Sequence, residues 1–483
     1  MSNFYKTFKP LALNTLAQAA IIFIAGCSQI PKYERPAAPV AAQWPASTPA
    51  AVSSTQPLDW QSYFTDPTLR TLIEIALKNN RDLRMATLNT ELALAQLGVR
   101  RADQFPTVNA ALTGSRTPNS NGAINSAYAG GLTVTAYELD FFGRVGSLKE
   151  QALAQYMASA EAAQTAQISL IATVTQAWLA LLADDELLAV TRQTLDSRAE
   201  SLKLTALKLQ NGAASELDQQ LAQTLLESAR VTLAQQTRQR ALDENALVLL
   251  LGQPLPEAAQ LAPASPTAAP HVSLSQLQLA ELPAGLPSDL LTRRPDIRQA
   301  EQNLIASHAN IGAARAAFFP RISLTAGVGS ASTALANLFS SGSWGWTLAP
   351  QLMLPIFDAG RNQANLEAAQ VGRDLAVAQY EKSIQNAFRE VADALASRAT
   401  LAAQVQASQA LLAAETTRHH LTQLRLEHGA ASQLEWLDAK RSLFSAQQTA
   451  VQTRLAYLQN QIALFKTLGG GSHMAQAASP TAN

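Results

Sequence analysis

Few side chains in this sequence are typed and spaced for catalysis or metal binding. His419, His420 and His428 lie close together, but spacings of one and eight along a helix do not bring three imidazoles to one metal ion. Gly327-Val328-Gly329 lacks the lysine and following helix of a phosphate-binding loop and falls in a strand pattern. No HExxH, paired CxxC or GxSxG element occurs. Carboxylates are scattered along helix faces, where water is their ordinary partner. Lys+Arg and Asp+Glu both number 36, so no net field favours nucleic acid. The expectation is a chain that is no enzyme, holds no metal or cofactor, and does not bind nucleic acid.

One residue does carry a chemistry. Cys27 is the single cysteine, which excludes an internal disulfide. It follows Ile24-Ala25-Gly26 at the end of an apolar run, Leu11 to Ile24, flanked by Lys6 and Lys9. That run is too short to span a bilayer comfortably, so residues 1–26 form an export signal. A cysteine directly after Ile-Ala-Gly matches a bacterial lipobox, and Cys27 is expected to be the mature first residue, carrying diacylglycerol and an N-acyl chain. The bland alternative is an ordinary signal with a chance cysteine. Acyl chains would add membrane affinity of about 0.8 kcal/mol per buried CH₂. No later segment offers the ~20 apolar residues of a transmembrane helix, so further membrane crossing requires strands.

What positions everything else is a duplication. LQNGAASELD at Leu209–Asp218 returns as LEHGAASQLE at Leu426–Glu435. Arg81-Asp82-Leu83-Arg84 matches Pro295-Asp296-Ile297-Arg298, and Gly98, Arg101 and Phe105-Pro106 match Gly312, Arg315 and Phe319-Pro320. Gly143-Arg144 matches Gly360-Arg361. The nearly constant offset marks one duplicated unit.

Each half has the same order. A helix comes first, about Asp82 to Gln104 and Asp296 to Phe318, with Asp296 and Gln299 at capping-box spacing and Phe-Pro ending both. Two alternating runs follow, with strands expected at about 107–117 and 129–139, then 321–331 and 346–356. Val108, Ala110 and Leu112 share a face opposite Asn109 and Thr113; Ile322, Leu324 and Val328 alternate with Arg321, Ser323 and Thr325. The pattern fits membrane-barrel strands, although a small soluble hairpin would show it too. Trp344 and Trp346 suit either a membrane interface or packing.

A proline-free helix then runs over 144–211 and again over 361–428. Val174, Leu181, Leu188, Leu195, Leu202 and Leu209 recur every seven residues, one seam of a left-handed coiled coil. Such a helix is roughly 100 Å long at 1.5 Å per residue. Gly212 and Gly429 suit the left-handed position that stops a helix, and Ser215-x-x-Asp218 and Ser432-x-x-Glu435 restart one. Each repeated stretch is thus a hairpin between a long helix and a returning one, about half as long. The helix ending in Phe-Pro, stacked end to end on the returning helix, would nearly flank the long one. The organisation is an export signal (1–26), a lipidated segment and belt (27–65), a first repeat (66–252), a proline-rich equatorial segment (253–287), a second repeat (288–468) and a disordered tail (469–483).

Four strands cannot close a membrane barrel, which needs at least eight, and open edges are forbidden in lipid. Two, three or four copies would give 8, 12 or 16 strands, and spacing alone does not choose.

The lipobox, Leu286-Pro-Ser-Asp-Leu-Leu-Thr-Arg-Arg-Pro-Asp-Ile297, Phe319-Pro-Arg-Ile-Ser323 and the twin hairpins resemble the TolC-type outer membrane efflux family. They are most similar to its OprM-like lipoprotein branch (NodT family), which serves resistance-nodulation-division pumps. The likeness covers about Tyr33 to Gly470. It implies a mainly α fold with a membrane β part: a homotrimeric twelve-stranded β-barrel continuous with a twelve-helix α-barrel. The implied function is a passive exit duct for drugs and small molecules, joined through a periplasmic membrane-fusion adaptor to an inner membrane pump and seated among outer membrane lipids. The resemblance puts the periplasmic gate just past the second hairpin, with Leu434 as a hydrophobic constriction, Asp438 as an acidic ring, and Glu435 adding acidity or merely capping. It also implies adaptor contacts at the tips, Gly212, Ala213, Ala214 and Ser215 with Gly429, Ala430, Ala431 and Ser432. Ala431 and Leu426 stand where TolC carries tip arginine and tyrosine, so the latch differs. Alternatives are a duct for heavy metals or type I protein secretion, or a poreless coiled-coil lipoprotein.

Overall fold

The computed structural model describes residues 28–41, 59–118, 120, 122–256, 273–274, 276–277, 279–280, 282 and 290–470. The expected export signal, Cys27, most of the proline-rich segment and the tail after 470 lie outside them. The elements run α1 (Trp60–Tyr63), α2 (Pro67–Asn79), α3 (Arg81–Ala102), β1 (Val108–Pro118), β2 (Ile124–Leu139), α4 (Arg144–Gln210) and α5 (Glu216–Leu251). They continue with α6 (Leu290–Arg293), α7 (Pro295–Ala316), β3 (Arg321–Ser332), β4 (Trp344–Met353), α8 (Arg361–Glu427) and α9 (Gln433–Thr467). The order repeats as the duplication requires, and α4 and α8 are each 67 residues long.

The chain divides into two compact units. Among the described residues, the first comprises 28–38, Leu88–Ala160 and Gln299–Lys382. It holds one antiparallel sheet in the order β1-β2-β3-β4. Its helical part buries small residues, Ala152, Ala154 and Ala158 of α4 and Ala306, Ala309 and Ala316 of α7. Extended chain from Ser28 onward lies against α7, where Tyr33 and Arg35 meet Glu301.

The second unit comprises the described residues within 39–87, 161–298 and 383–470. Its core centres on Phe465, stacked on Tyr63 (centroids 4.6 Å apart) and edge-on to Phe64 (5.3 Å), beside buried Leu69, Ile73, Leu247, Leu251 and Ile462. Asp66 caps α2 through the Thr68 N–H and accepts a hydrogen bond from the indole of Trp178 in α4. End-to-end stacking of the short helices is visible in both halves. Asn80, at the head of α3, donates to the Leu250 carbonyl at the end of α5 (2.9 Å). Arg294, at the head of α7, donates to the Thr467 carbonyl at the end of α9 (3.2 Å).

Three expectations need correction. Asp296 forms no capping box with Gln299, because Pro295 already begins α7; its carboxylate instead takes both arms of the Arg294 guanidinium (3.0 and 2.6 Å). The leucine seam of α4 holds only in part. Val174, Leu181 and Leu188 are buried, but farther along the buried stripe is Asp184, Thr191, Arg198 and Thr205, while Leu195, Leu202 and Leu209 are half-exposed. That stripe keeps the seven-residue spacing three positions out of phase with the leucines, because burial there is set by where the neighbouring helices lie. Finally, α4 does contain an 18-residue window of mean hydropathy 1.5, long and apolar enough for a membrane helix by composition; 67% of it is buried, so its apolarity serves packing.

Candidate gate and conduit surfaces

The sheet has two chemically distinct faces. Across its register Ala110 pairs with Leu132, Leu132 with Val328 and Val328 with Trp346, giving one apolar face completed by Leu112, Leu348 and Leu352. Asn109 pairs with Thr133, Thr133 with Gly327 and Gly327 with Thr347, giving a polar, small-residue face. Most of the apolar side chains are exposed. Strand β2 begins at Ile124, earlier than expected, because pairing with β1 continues to Pro118.

A β-bulge re-aims the lower end of β2. The register slips between Val134 and Tyr137, with Ala136 at φ 50°. Simple alternation from Leu132 and Val134 would put Glu138 on the apolar face. After the bulge, Tyr137 opposes Leu324 and Glu138 opposes Ser323, so the carboxylate joins the polar face. There it accepts two hydrogen bonds from Arg144 (2.8 and 2.7 Å) and one from Arg321 (2.6 Å). The Tyr137 hydroxyl donates instead to the Gln104 carbonyl (2.8 Å). No glycine marks the bulge, and sequence reasoning missed both it and this charged cluster.

The hairpins follow the duplicated spelling closely. After α4 the Gly212 N–H donates to the Leu209 carbonyl (3.0 Å) and the Ala213 N–H to that of Lys208 (2.7 Å). After α8 the Gly429 N–H donates to Leu426 (3.1 Å) and the Ala430 N–H to Arg425 (2.7 Å). With φ of 72° and 70° at the glycines, both turns are Schellman motifs. Ser215 with Asp218, and Ser432 with Glu435, then form reciprocal capping boxes. Ala213 and Ala430 are exposed and their neighbours Ala214 and Ala431 half-buried.

Of the residues proposed for a gate, Leu434 is 57% exposed at the start of α9, and Glu435 is engaged as the capping carboxylate. Asp438, one turn beyond Leu434, is ion-paired to Arg441 (2.6 Å) and reached by Arg418 of α8 (3.5 Å), which also pairs with Glu415. The equivalent position in the first half is Leu221, so the tie exists once per chain. Among the described residues no group of three or more His, Cys, Asp or Glu could hold a metal.

Just beyond this pair lies a half-buried cation without a carboxylate ion-pair partner among the described residues. Lys440 donates to the hydroxyls of Ser197 (2.7 Å) and Ser201 (2.8 Å) of α4 and sits 3.8 Å from the Trp436 ring centroid. Burial, aided by Arg198, pulls its ammonium down from 10.5 to about 8, with Glu200 opposing. Burial and this same charge also lower His419. Between pH 8 and 10.5 the unfolded chain binds more protons at Lys440 than the folded one, so this residue makes stability rise with pH across that window. Lys440→Met should therefore not lower the thermal midpoint at pH 7 and should flatten its rise towards pH 10.5. A clear loss of stability at pH 7 would show that the serine and indole contacts outweigh desolvation.

The profile of the family described as "Outer membrane efflux protein" matches residues 72–253 and 286–470, one match per repeat. The chain belongs to that family. As an outer membrane efflux protein it is 46% identical over 474 residues to "Probable efflux pump outer membrane protein TtgC" of Pseudomonas putida, covering 95% of this chain and 96% of the relative. It is 45% identical over 471 residues to "Outer membrane protein OprJ" of Pseudomonas aeruginosa, with 95% and 96% covered. Among solved structures, a membrane protein from Pseudomonas aeruginosa matches with a TM-score of 0.84 at 44% identity, over 94% of this chain and 100% of that one. The open state of the MtrE outer membrane channel of Neisseria gonorrhoeae matches at 0.84 and 38%, over 92% and 98%. The fold of this efflux protein is that of the outer membrane channels, part α-barrel and part β-barrel, and its place is the outer membrane.

Proposed function

We propose that this chain, as a homotrimer, is the exit duct of a tripartite efflux system for antibiotics, solvents and other small molecules. The observation that carries this reading is the sheet. It is amphipathic, only four strands wide, and unpaired at β1 and β4 among the described residues. Exposed strand edges and an apolar face are stable in a bilayer only when copies join into a closed barrel, and three copies supply the twelve strands of the family's form. The polar face then lines a water-filled bore. Relatives named as efflux pump outer membrane proteins support the same assignment.

In this reading the hairpin tips, Gly212–Ser215 and Gly429–Ser432, receive a periplasmic membrane-fusion adaptor, whose partner is a resistance-nodulation-division pump. The small tip residues suit close approach by adaptor helices. Cys27 anchors the mature chain by its acyl groups. Leu434 narrows the periplasmic end as a hydrophobic ring, and Asp438 holds it shut by tying α9 to Arg418 of α8. Each such half-exposed pair contributes only about 0–1 kcal/mol, which suits a gate that opens on contact with partners.

The test is the detergent-extracted protein in planar bilayers, with its subunit number determined in parallel. A trimer with stepwise conductance is expected, and Asp438→Ala should raise both conductance and antibiotic uptake through the unengaged duct. A compact monomer without conductance would sink the duct reading. A conducting trimer insensitive to Asp438→Ala would remove only the gate assignment.

A further inference from the structure

At the foot of the sheet an open cleft of ≈ 470 Å³ is lined by three carboxylates and three guanidiniums, but the two charges are not equally presented. Glu138 is turned inward, its side chain 13% exposed between Arg144 and Arg321. Asp140 accepts the backbone N–H groups of Val145 (3.1 Å) and Gly146 (2.6 Å) at the head of α4. Asp358 accepts those of Gly360 (3.0 Å) and Asn362 (2.9 Å) at the head of α8. Every carboxylate therefore has its partners within the chain. The Arg321 side chain, by contrast, is 59% exposed and gives only one edge to Glu138. Arg361 is exposed and makes no side-chain ion pair among the described residues. Solvent in the cleft meets guanidinium.

The placement runs against local stability. Arg144 and Arg361 are the first residues of the two longest helices, where the helix dipole disfavours a cation by about 0.3–1 kcal/mol. Both repeats nonetheless spell Gly-Arg there. The bulge in β2 adds to this by turning Glu138 onto the polar face beside Arg321. Local rules broken twice at one place are characteristic of a functional surface.

The geometry points to a cationic station at the base of the barrel, where Arg321 and Arg361 make transient contacts with the carboxylate, sulfonate or phosphate groups of anionic solutes. This rests on the duct reading, in which the polar face lines the bore and three copies bring six guanidiniums around it. Rings of charged side chains lining a bore set ion preference without binding tightly enough to block passage.

The test is the reversal potential in planar bilayers under a potassium chloride gradient. The double variant Arg321→Gln/Arg361→Gln should lower the chloride-over-potassium permeability ratio by about threefold or more, since charged linings concentrate counter-ions. Arg361→Gln alone breaks no ion pair and should shift the ratio in the same direction by less, which keeps the test decisive if the double variant does not assemble. Normal conductance with an unchanged ratio in Arg361→Gln and the double variant would overturn the station and leave the duct standing. Absence of conductance in the unmodified protein would overturn the duct and the station with it.

Discussion

Valine in place of Gly131 is expected to abolish assembly in the outer membrane. Gly131 and Gly329 face each other across β2 and β3, and their backbones approach unusually closely. A Cβ on Gly131 would lie 2.2 Å from the Val328 carbonyl oxygen and 2.6 Å from the Gly329 Cα; one on Gly329 would lie 2.3 Å from the Gly130 carbonyl oxygen. These are backbone atoms, so no rotamer change relieves the contact, and the strands must part. Overpacking costs about 1–3 kcal/mol when side chains can yield, and a fixed backbone puts this case above that range. The sheet should fail to form, and the variant should be missing from the outer membrane fraction or lack trimers in native electrophoresis. Gly345→Ala in β4 is the matched control, because a Cβ there meets nothing within 4 Å. Normal assembly of Gly131→Val, or equal damage from Gly345→Ala, would show that the close approach does not constrain the barrel.

The second large effect concerns the segment that follows Cys27. Arg35 donates two hydrogen bonds of 2.7 Å to the carboxylate of Glu301 in α7, and the Tyr33 hydroxyl donates a third at 2.9 Å. Burial and that hydrogen bond hold the Tyr33 phenol above its ordinary range, so it stays a donor. Next to it, Ile30 crosses α7 so tightly that a Cβ on Gly312 would come within 2.6 Å of it. The two charges of the clamp are unequally buried: the Glu301 side chain is 10% exposed and that of Arg35 50%. Removing the arginine leaves a buried carboxylate with no counter-charge and only the Tyr33 hydroxyl, whereas removing the glutamate lets the guanidinium turn to water. Arg35→Ala should therefore destabilise the strap by about 3 kcal/mol and Glu301→Ala by only ~1–2 kcal/mol. Trypsin cleavage after exposed Lys32 reads this directly, and ~3 kcal/mol corresponds to on the order of a hundredfold faster cutting. Equal cleavage of the unmodified protein and both variants would mean the clamp does not hold the strap. The reverse ranking would contradict the burial argument.

The parts of this molecule that were legible from residue types alone are those whose physics is local. A Schellman turn needs one left-handed residue, and a capping box needs a serine three residues before an acid, so both hairpins could be located from LQNGAASELD and LEHGAASQLE. Alternation of Val108, Ala110 and Leu112 likewise specifies a two-faced strand without reference to its neighbours. Asp296 and Gln299 had the right spacing for a cap, but the proline before them had already set the helix start. The heptad leucines of α4 failed below Leu188 because burial there depends on where other helices lie, which the helix's own sequence does not encode.

Duplication, helix ends, strand faces and family membership were determined by the order of amino acids, because each rests on contacts between near neighbours in the chain or on repeated spelling. Tertiary structure alone decided which way Glu138 points, which backbone tolerates no Cβ, where the strap after Cys27 docks, and that Asp438 is tied to Arg418. Those facts depend on residues as many as 268 positions apart hydrogen-bonding in space, as Tyr33 and Glu301 do. Pattern along a chain carries no direct record of such meetings, so the gate tie and the cationic cleft emerged only once the helices and strands were folded together.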